Sequence, residues 1–268
     1  MNEGIPKKSL GQHWLHDEAT LDTIVDCADV HSDDAVLEIG PGLGTLTRRL
    51  LMRGAQVTAV EFDERLAYGL PIRLGGEPNA DNLTVIREDI LRLDLTQLPP
   101  QYKVVANIPY YLTSNLIRIL TESNNPFSTA ALLVQKEVAE RAAAAPGRMS
   151  LLSVSAQYYA QVSLGPIVPA ELFTPPPKVD SQVLVLRYRN EPLFEGVDTK
   201  RFFRVVRAGF SQKRKTLVNA LSGGLAINKD QARELLAASN IAPNQRAQAL
   251  SLEDWYTVYS ACVTTDVV

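Results

Sequence analysis

The chain has 268 residues, 46% apolar and 21% charged, the balance of an ordinary globular protein long enough for one large or two modest domains. No run nears the ~18 consecutive apolar residues of a membrane span, and the opening "MNEGIPKKSLGQHW" lacks the apolar stretch of a secretory signal. The formal charge of −3 argues by itself against a nucleic-acid partner, but Arg187 to Val268 carries +4, which leaves −7 for the rest.

From the N-terminus, short apolar runs alternate with helical patterns. "AVLEI" (35–39), "QVTAVE" (56–61), "LTVI" (83–86), "KVVAN" (103–107) and "AALLVQ" (130–135) read as fully buried strands. Between the first two lies "GTLTRRLLMRG", where Leu46, Leu50 and Leu51 recur at helical spacing before Gly54. Such alternation predicts a parallel sheet covered on both faces. Further on, "QVSLGPIV" and "SQVLVLRYR" are two more strands around the proline-rich "FTPPPKVD". No long helix separates them, so an antiparallel hairpin at one sheet edge is expected. Cys27 and Cys262 form no C-x-x-C pair, so neither a disulfide framework nor a zinc site is expected, and a reducing cytoplasm is the fitting compartment.

After about Asn190 the pattern changes. "EPLFEGVDT" reads as a linker, followed by "KRFFRVVRAGF", "RKTLVNAL", "KDQARELLAAS" and "LEDWYTVYSACV", all with helical spacing. The expected division is therefore a sheet domain over 1–190 and an all-helical domain over 191–268. The basic excess lies in "KRFFRVVRAGFSQKRK", Lys200 to Lys215, with seven cations and no acid. That is either a phosphate-binding stripe or a plain solvated helix face.

"LEIGPGLGTLT" sets Gly40, Gly42 and Gly44 directly after the first of these strands, where glycine permits positive φ and close approach of a ligand. Glu61 closes the next strand 21 residues after Gly40, a spacing that suits a carboxylate accepting from a ribose diol. A dinucleotide fold wants a sixth-position glycine, and Thr45 stands there. The loop suits an adenosine cofactor without a pyrophosphate; a mere strand-to-helix turn is the plain alternative. Asp89 follows the third of the strands, placed to accept from an adenine amine. "VVANIPYYLTSNL" then ends a strand in Asn107, Ile108, Pro109 and Tyr110. An amide oxygen, the carbonyl before a proline and a flat ring together suit an exocyclic amine on a planar base. Asn107 as a helix or turn cap is the competing reading.

With these motifs in place, the sequence resembles the S-adenosylmethionine-dependent N6-adenine methyltransferases, and within them the ribosomal RNA adenine dimethyltransferases of the small-subunit (16S) type. "KKSLGQHWLHD", "LEIGPGLGTLT", "NIPY", "LLVQKEVAERAAAAPG", "FTPPPKVDSQVLVL" and "FSQKRKTLVNAL" carry the resemblance nearly end to end. It implies a class I methyltransferase fold: a seven-stranded, mostly parallel sheet with an antiparallel edge hairpin, plus a small helical C-terminal domain. It implies S-adenosylmethionine as cofactor and no metal. Its contacts fall on His13 and Leu15 (His13-Trp14 stands where the family has Asn-Phe) and on Gly40, Gly42, Glu61, Asp89 and Asn107. Asn107 and the Ile108 carbonyl grip the target N6, with Tyr110 stacking and Phe173 covering the opposite face. Arg204, Arg207, Lys213, Arg214 and Lys215 fall to RNA phosphates. The implied partner is 16S rRNA in the immature 30S subunit of the bacterial cytoplasm, bound by a monomer. Alternatives are a resistance-type dimethyltransferase of large-subunit rRNA, an assembly factor with secondary catalysis, a DNA adenine methyltransferase and, more remotely, a dinucleotide oxidoreductase.

Overall fold

A computed structural model describes residues 12–212 and 214–268. They fall into two compact units: the chain up to Glu140 with Ala160–Tyr188, and Arg141–Tyr159 with Arg189–Val268. Among the described residues no helix is long and apolar enough to cross a membrane.

The first unit begins with β1 (Trp14–Leu15) and α1 (Glu18–Cys27), whose N-cap Asp17 accepts the backbone N–H of Thr20 at 2.8 Å. Then follow β2 (Ala35–Ile39), α2 (Thr45–Met52), β3 (Gln56–Glu61), α3 (Glu64–Leu74), β4 (Leu83–Arg87), β5 (Lys103–Asn107), α4 (Thr113–Thr121), β6 (Thr129–Gln135) and α5 (Lys136–Ala142). α6 (Leu151–Tyr159) leads into β7 (Ala160–Val168), β8 (Phe173–Thr174) and β9 (Ser181–Tyr188). β2 to β6 pair in parallel, and β9 lies antiparallel between β6 and β7, giving the order β4-β3-β2-β5-β6-β9-β7. The expected hairpin is thus present, but its second strand is inserted inside the sheet and its first forms the edge. β4 also differs from expectation. It is the other edge, and its residues are only partly covered because β3 packs on one side alone.

One sheet face is packed by α1 and α2. Leu50 and Leu51, on the apolar side of α2, are fully buried with Ile24 and Val25 of α1 over Val57 and Val105. Each such side chain contributes about 1.5–3 kcal/mol on leaving water. A separate two-stranded ribbon joins β1 to β8, with Leu15 opposite Phe173.

The second unit holds α6, α7 (Thr199–Phe210), α8 (Leu217–Leu225), α9 (Lys229–Ala238) and α10 (Leu252–Thr264) around its own core. α6 lies within the stretch expected to be sheet domain. Tyr158 stacks on Phe202 at 4.9 Å and meets Phe203 edge-on at 5.3 Å, so aromatic burial assigns it to the helical core. The expected linker is likewise packed: Phe194 stacks on Tyr256 at 4.5 Å, and Leu193 and Val197 lie against the same core.

Candidate functional site

Strand order reverses at β2: the chain runs outward through β3 and β4 on one side and through β5 and β6 on the other. Loops leaving the carboxyl ends therefore diverge, and a crevice opens between them. In this fold it is a cavity of about 270 Å³ walled by the ends of β2, β3 and β5, the segment after β4 and the stretch from Gln12 to Leu15.

The glycine loop forms one wall. Gly40 has φ +68°, and a Cβ there would meet nothing within 4 Å among the described residues, so its open face is available to a ligand. Gly42 also lines the cavity and has a packing role besides. A Cβ on it would lie 2.4 Å from Cζ3 of Trp14, so it is required by the indole packed over the loop. Glu61 accepts the N–H of Gly42 at 3.1 Å and of Asp63 at 2.8 Å, which fixes the carboxylate at the cavity edge with lone pairs to spare. Burial raises its pKa, and those backbone donors oppose the rise. Asp89 lines the same cavity, its Oδ1 accepting the N–H of Leu91 at 3.0 Å.

Glu38 was legible in the sequence only as the acid before the loop. Here it is 1% exposed, lines the cavity and, among the described residues, has no hydrogen-bond partner of good geometry for either carboxylate oxygen. Burial pushes its pKa up to about 8; Thr47 opposes the rise and the Glu61 carboxylate adds to it. A buried acid without a partner is costly unless a cation or donor arrives to meet it.

The opposite wall is the segment after β5. The N–H of Ile108 donates to Leu133 at 3.2 Å, continuing the parallel ladder, and Pro109 then turns the chain into a single 3-10 turn. Tyr110 is pinned twice. Its hydroxyl lies 2.9 Å from Oγ of the buried Ser181, and its carbonyl accepts Oγ1–H of Thr113 at 3.2 Å. Burial lifts its pKa, which keeps the phenol neutral. Asn107 donates Nδ2–H to the carbonyl of His13 at 3.3 Å, leaving Oδ1 free to accept. Asn107 is therefore no helix cap; α4 starts with Leu112 at its N-cap.

Of the remaining sequence-derived positions, His13, Leu15, Ile108 and Pro109 line the cavity. Phe173 does not. It is 3% exposed and packs with Leu15 in the core of the first unit, because its place in β8 aims it inward. Tyr111, next to Tyr110 in the chain, stands 62% exposed at the cavity rim. In the second unit, Arg204 and Arg207 lie exposed along α7, and Arg214 and Lys215 are exposed beyond it. Lys213 lies outside the described residues.

These groups suit an adenosyl amino acid. Glu38, which lacks a well-placed donor among the described residues, matches an ammonium, Gly40 leaves room beside it, Glu61 can accept from ribose hydroxyls and Asp89 from an adenine amine.

A family model described as "Ribosomal RNA adenine dimethylase" matches residues 5–263. A protein of Dehalococcoides mccartyi (strain CBDB1), named ribosomal RNA small subunit methyltransferase A, is 42% identical over 252 residues, covering 93% of this chain and 86% of the relative. A protein of the same name from Streptococcus pneumoniae serotype 2 (strain D39 / NCTC 7466) is 41% identical over 261 residues, 93% of this chain and 89% of the relative. Among solved structures, a dimethyladenosine transferase from Plasmodium falciparum matches with TM-score 0.77 at 26% identity, over 95% of this chain and 98% of that one. The 23S rRNA methyltransferase ErmE matches with TM-score 0.73 at 30% identity, over 92% and 98%.

Proposed function

The chain belongs to the ribosomal RNA adenine dimethylase family, and on that premise we propose how its site works and on what it acts. It is an S-adenosylmethionine-dependent rRNA adenine dimethyltransferase. Its substrate is 16S rRNA, where methyl groups go to N6 of two adjacent adenosines in the 3′-terminal hairpin loop, leaving N6,N6-dimethyladenosine. The observation that carries the reading is a single cavity with Glu38, Glu61 and Asp89 on one side and the pinned Asn107–Tyr110 segment on the other. When bound, S-adenosylmethionine supplies an electrophilic methyl group on a sulfonium centre.

Glu38 faces the amino-acid end of the cofactor, Gly40 gives it backbone clearance, Glu61 takes the ribose and Asp89 the adenine amine. Gly42 and Leu15 keep the loop and the β1 ribbon in place. Asn107 Oδ1 and the Ile108 carbonyl accept both N–H bonds of the target amine, which turns its lone pair towards the methyl group. Tyr110 offers its face to the base. Such chemistry rests on position and fixed dipoles, and the displaced proton leaves to water without a strong general base. After one transfer, a single N–H remains for one of the two acceptors, so a second transfer fits the same grip. The target base must leave its stack, at a cost of a few kcal/mol that is smallest in a hairpin loop.

Arg204, Arg207, Arg214 and Lys215 of the helical unit contact phosphate and set register without reading bases. The working unit is a monomer acting on immature 30S particles in the cytoplasm. The large-subunit alternative is disfavoured because the small-subunit relatives are 41–42% identical, against 30% for the 23S enzyme. Methyl transfer from labelled cofactor to undermethylated 30S particles, with mass mapping of the product, tests the reading. Two dimethyladenosines in the terminal hairpin loop are expected; transfer to protein-free large-subunit rRNA instead would overturn it.

A further inference from the structure

We propose that Arg73 is a positioning residue for the cofactor: from the end of α3 its guanidinium clamps the glycine loop and, through that loop, the carboxylate of Glu61. This rests on the reading above, in which Glu61 takes the ribose. Nη2 of Arg73 donates to the carbonyl of Gly42 at 3.1 Å and to the carbonyl of Leu66 at 3.2 Å, so one nitrogen ties the loop to the helix behind it. Its Nε and Nη1 are buried, and Arg73 does not line the cavity. Any effect on a bound ligand therefore passes through the residues it holds.

Gly42 is where these contacts converge. Its N–H donates to Oε2 of Glu61 at 3.1 Å, the indole of Trp14 covers its Cα, and its carbonyl takes the guanidinium. A glycine backbone offers little resistance of its own to rotation, so these three contacts are what fix it. Release of the carbonyl lets the loop turn about Gly42 and draws the N–H away from Glu61. The carboxylate then keeps only its other anchor, the N–H of Asp63 on Oε1 at 2.8 Å. Its aim loosens without being lost.

The sequence of α3 is shaped to deliver this contact. Leu66, Gly69 and Arg73 follow one another at helical spacing on one face. A Cβ at Gly69 would lie 2.3 Å from Nη1 and 3.3 Å from Cζ of Arg73. Glycine is among the poorest helix formers, and here its use in a helix interior lets the guanidinium lie flat on the helix. The same helix already backs the loop, since a Cβ at Gly44 would come 2.7 Å from Cδ1 of Leu70 and 3.2 Å from Cδ1 of Leu74. Arg73 adds a charge-assisted hydrogen bond to that apolar contact.

The test is calorimetric binding of S-adenosylmethionine, well below the melting temperature of each variant, for Arg73→Met, Arg73→Lys, Gly69→Ala and Glu61→Gln. Loss of the charge-assisted bond in Arg73→Met is expected to raise Kd about fivefold. Arg73→Lys recovers part of the loss, since an ammonium still donates to a carbonyl. Gly69→Ala favours the helix and alters no cavity residue, yet shows the same weakening because its methyl group displaces the guanidinium. Because Arg73 acts through Glu61, Arg73→Met combined with Glu61→Gln binds no more weakly than Glu61→Gln alone. With Glu61→Gln impaired, a Kd for Arg73→Met within about twofold of the unaltered protein, or losses that add in the double variant, overturns the proposal and leaves the parent reading standing. A raised Tm with unchanged Kd in Gly69→Ala is what a purely structural arginine gives, and it overturns the proposal too. An unimpaired Glu61→Gln means that this carboxylate does not hold the ribose, and the parent reading falls.

Discussion

Glu38 and Asn107 show how a site can be set by what single side chains lack. Asn107 spends its donor on the His13 carbonyl and keeps its acceptor for substrate. Glu38 has no hydrogen-bond partner of good geometry among the described residues and is held largely in its protonated form by burial, with a pKa of about 8 against an ordinary 4.5. The linkage has a definite sign. Between pH 4.5 and about 8 the unfolded chain has released this proton and the folded one has not, so the residue lowers stability progressively as pH rises through that window. Below 4.5 both states are protonated and the effect vanishes. Glu38→Gln is therefore expected to gain in Tm relative to the parent at pH 8 compared with pH 4.5. The Glu61 contribution, of the same sign, remains in both proteins. Thermal melts at the two pH values check this, and a Tm difference independent of pH would contradict it.

Among the elements, α7 best joins pattern to packing. Phe202, Phe203, Val205 and Val206 are buried, while Arg201, Arg204 and Arg207 stay exposed, as a helical period of 3.6 requires. Its Gly209 has no room for a larger residue, since a Cβ there would lie 2.2 Å from Cη2 of the fully buried Trp255. Gly209→Ala gains helix propensity of about 1 kcal/mol but forces the α7–α10 seam apart, at about 1–3 kcal/mol or more. Net destabilisation is expected. Gly223 in α8 gives the opposite case. Among the described residues a Cβ there would meet only Nε2 of Gln212 at 3.2 Å, the far end of a flexible side chain. Gly223→Ala should raise Tm while Gly209→Ala lowers it; two shifts of the same sign would refute the packing argument.

At the scale of the whole molecule, the chain builds two cores, and the basic excess follows the helical one. If that excess binds phosphate, its contribution is read in salt dependence rather than in chemistry. Replacing Arg207 by Ala should reduce the slope of log affinity for 30S RNA against log salt by roughly 0.7–0.9, about one released counterion. The turnover number at saturating RNA should stay close to that of the parent. Filter binding across a salt series measures the slope, and an unchanged slope would remove Arg207 from the interface.

The sequence by itself determined the alternating strands and helices, the glycine loop with Glu61 and Asp89, the Asn107–Tyr110 segment and the amphipathic α7. Each of these is a pattern within a few tens of residues, where chain geometry alone dictates which side chains share a face or a strand end. The tertiary structure decided the rest. It placed β9 within the sheet, gave α6 to the helical core, turned Phe173 inward, left Glu38 without a well-placed donor among the described residues and laid His13 over Tyr110. Those outcomes depend on partners remote along the chain: His13 meets Pro175 across 162 residues, and Asn107 meets His13 across 94. Burial and side-chain direction are settled by such distant neighbours, and no local period encodes them.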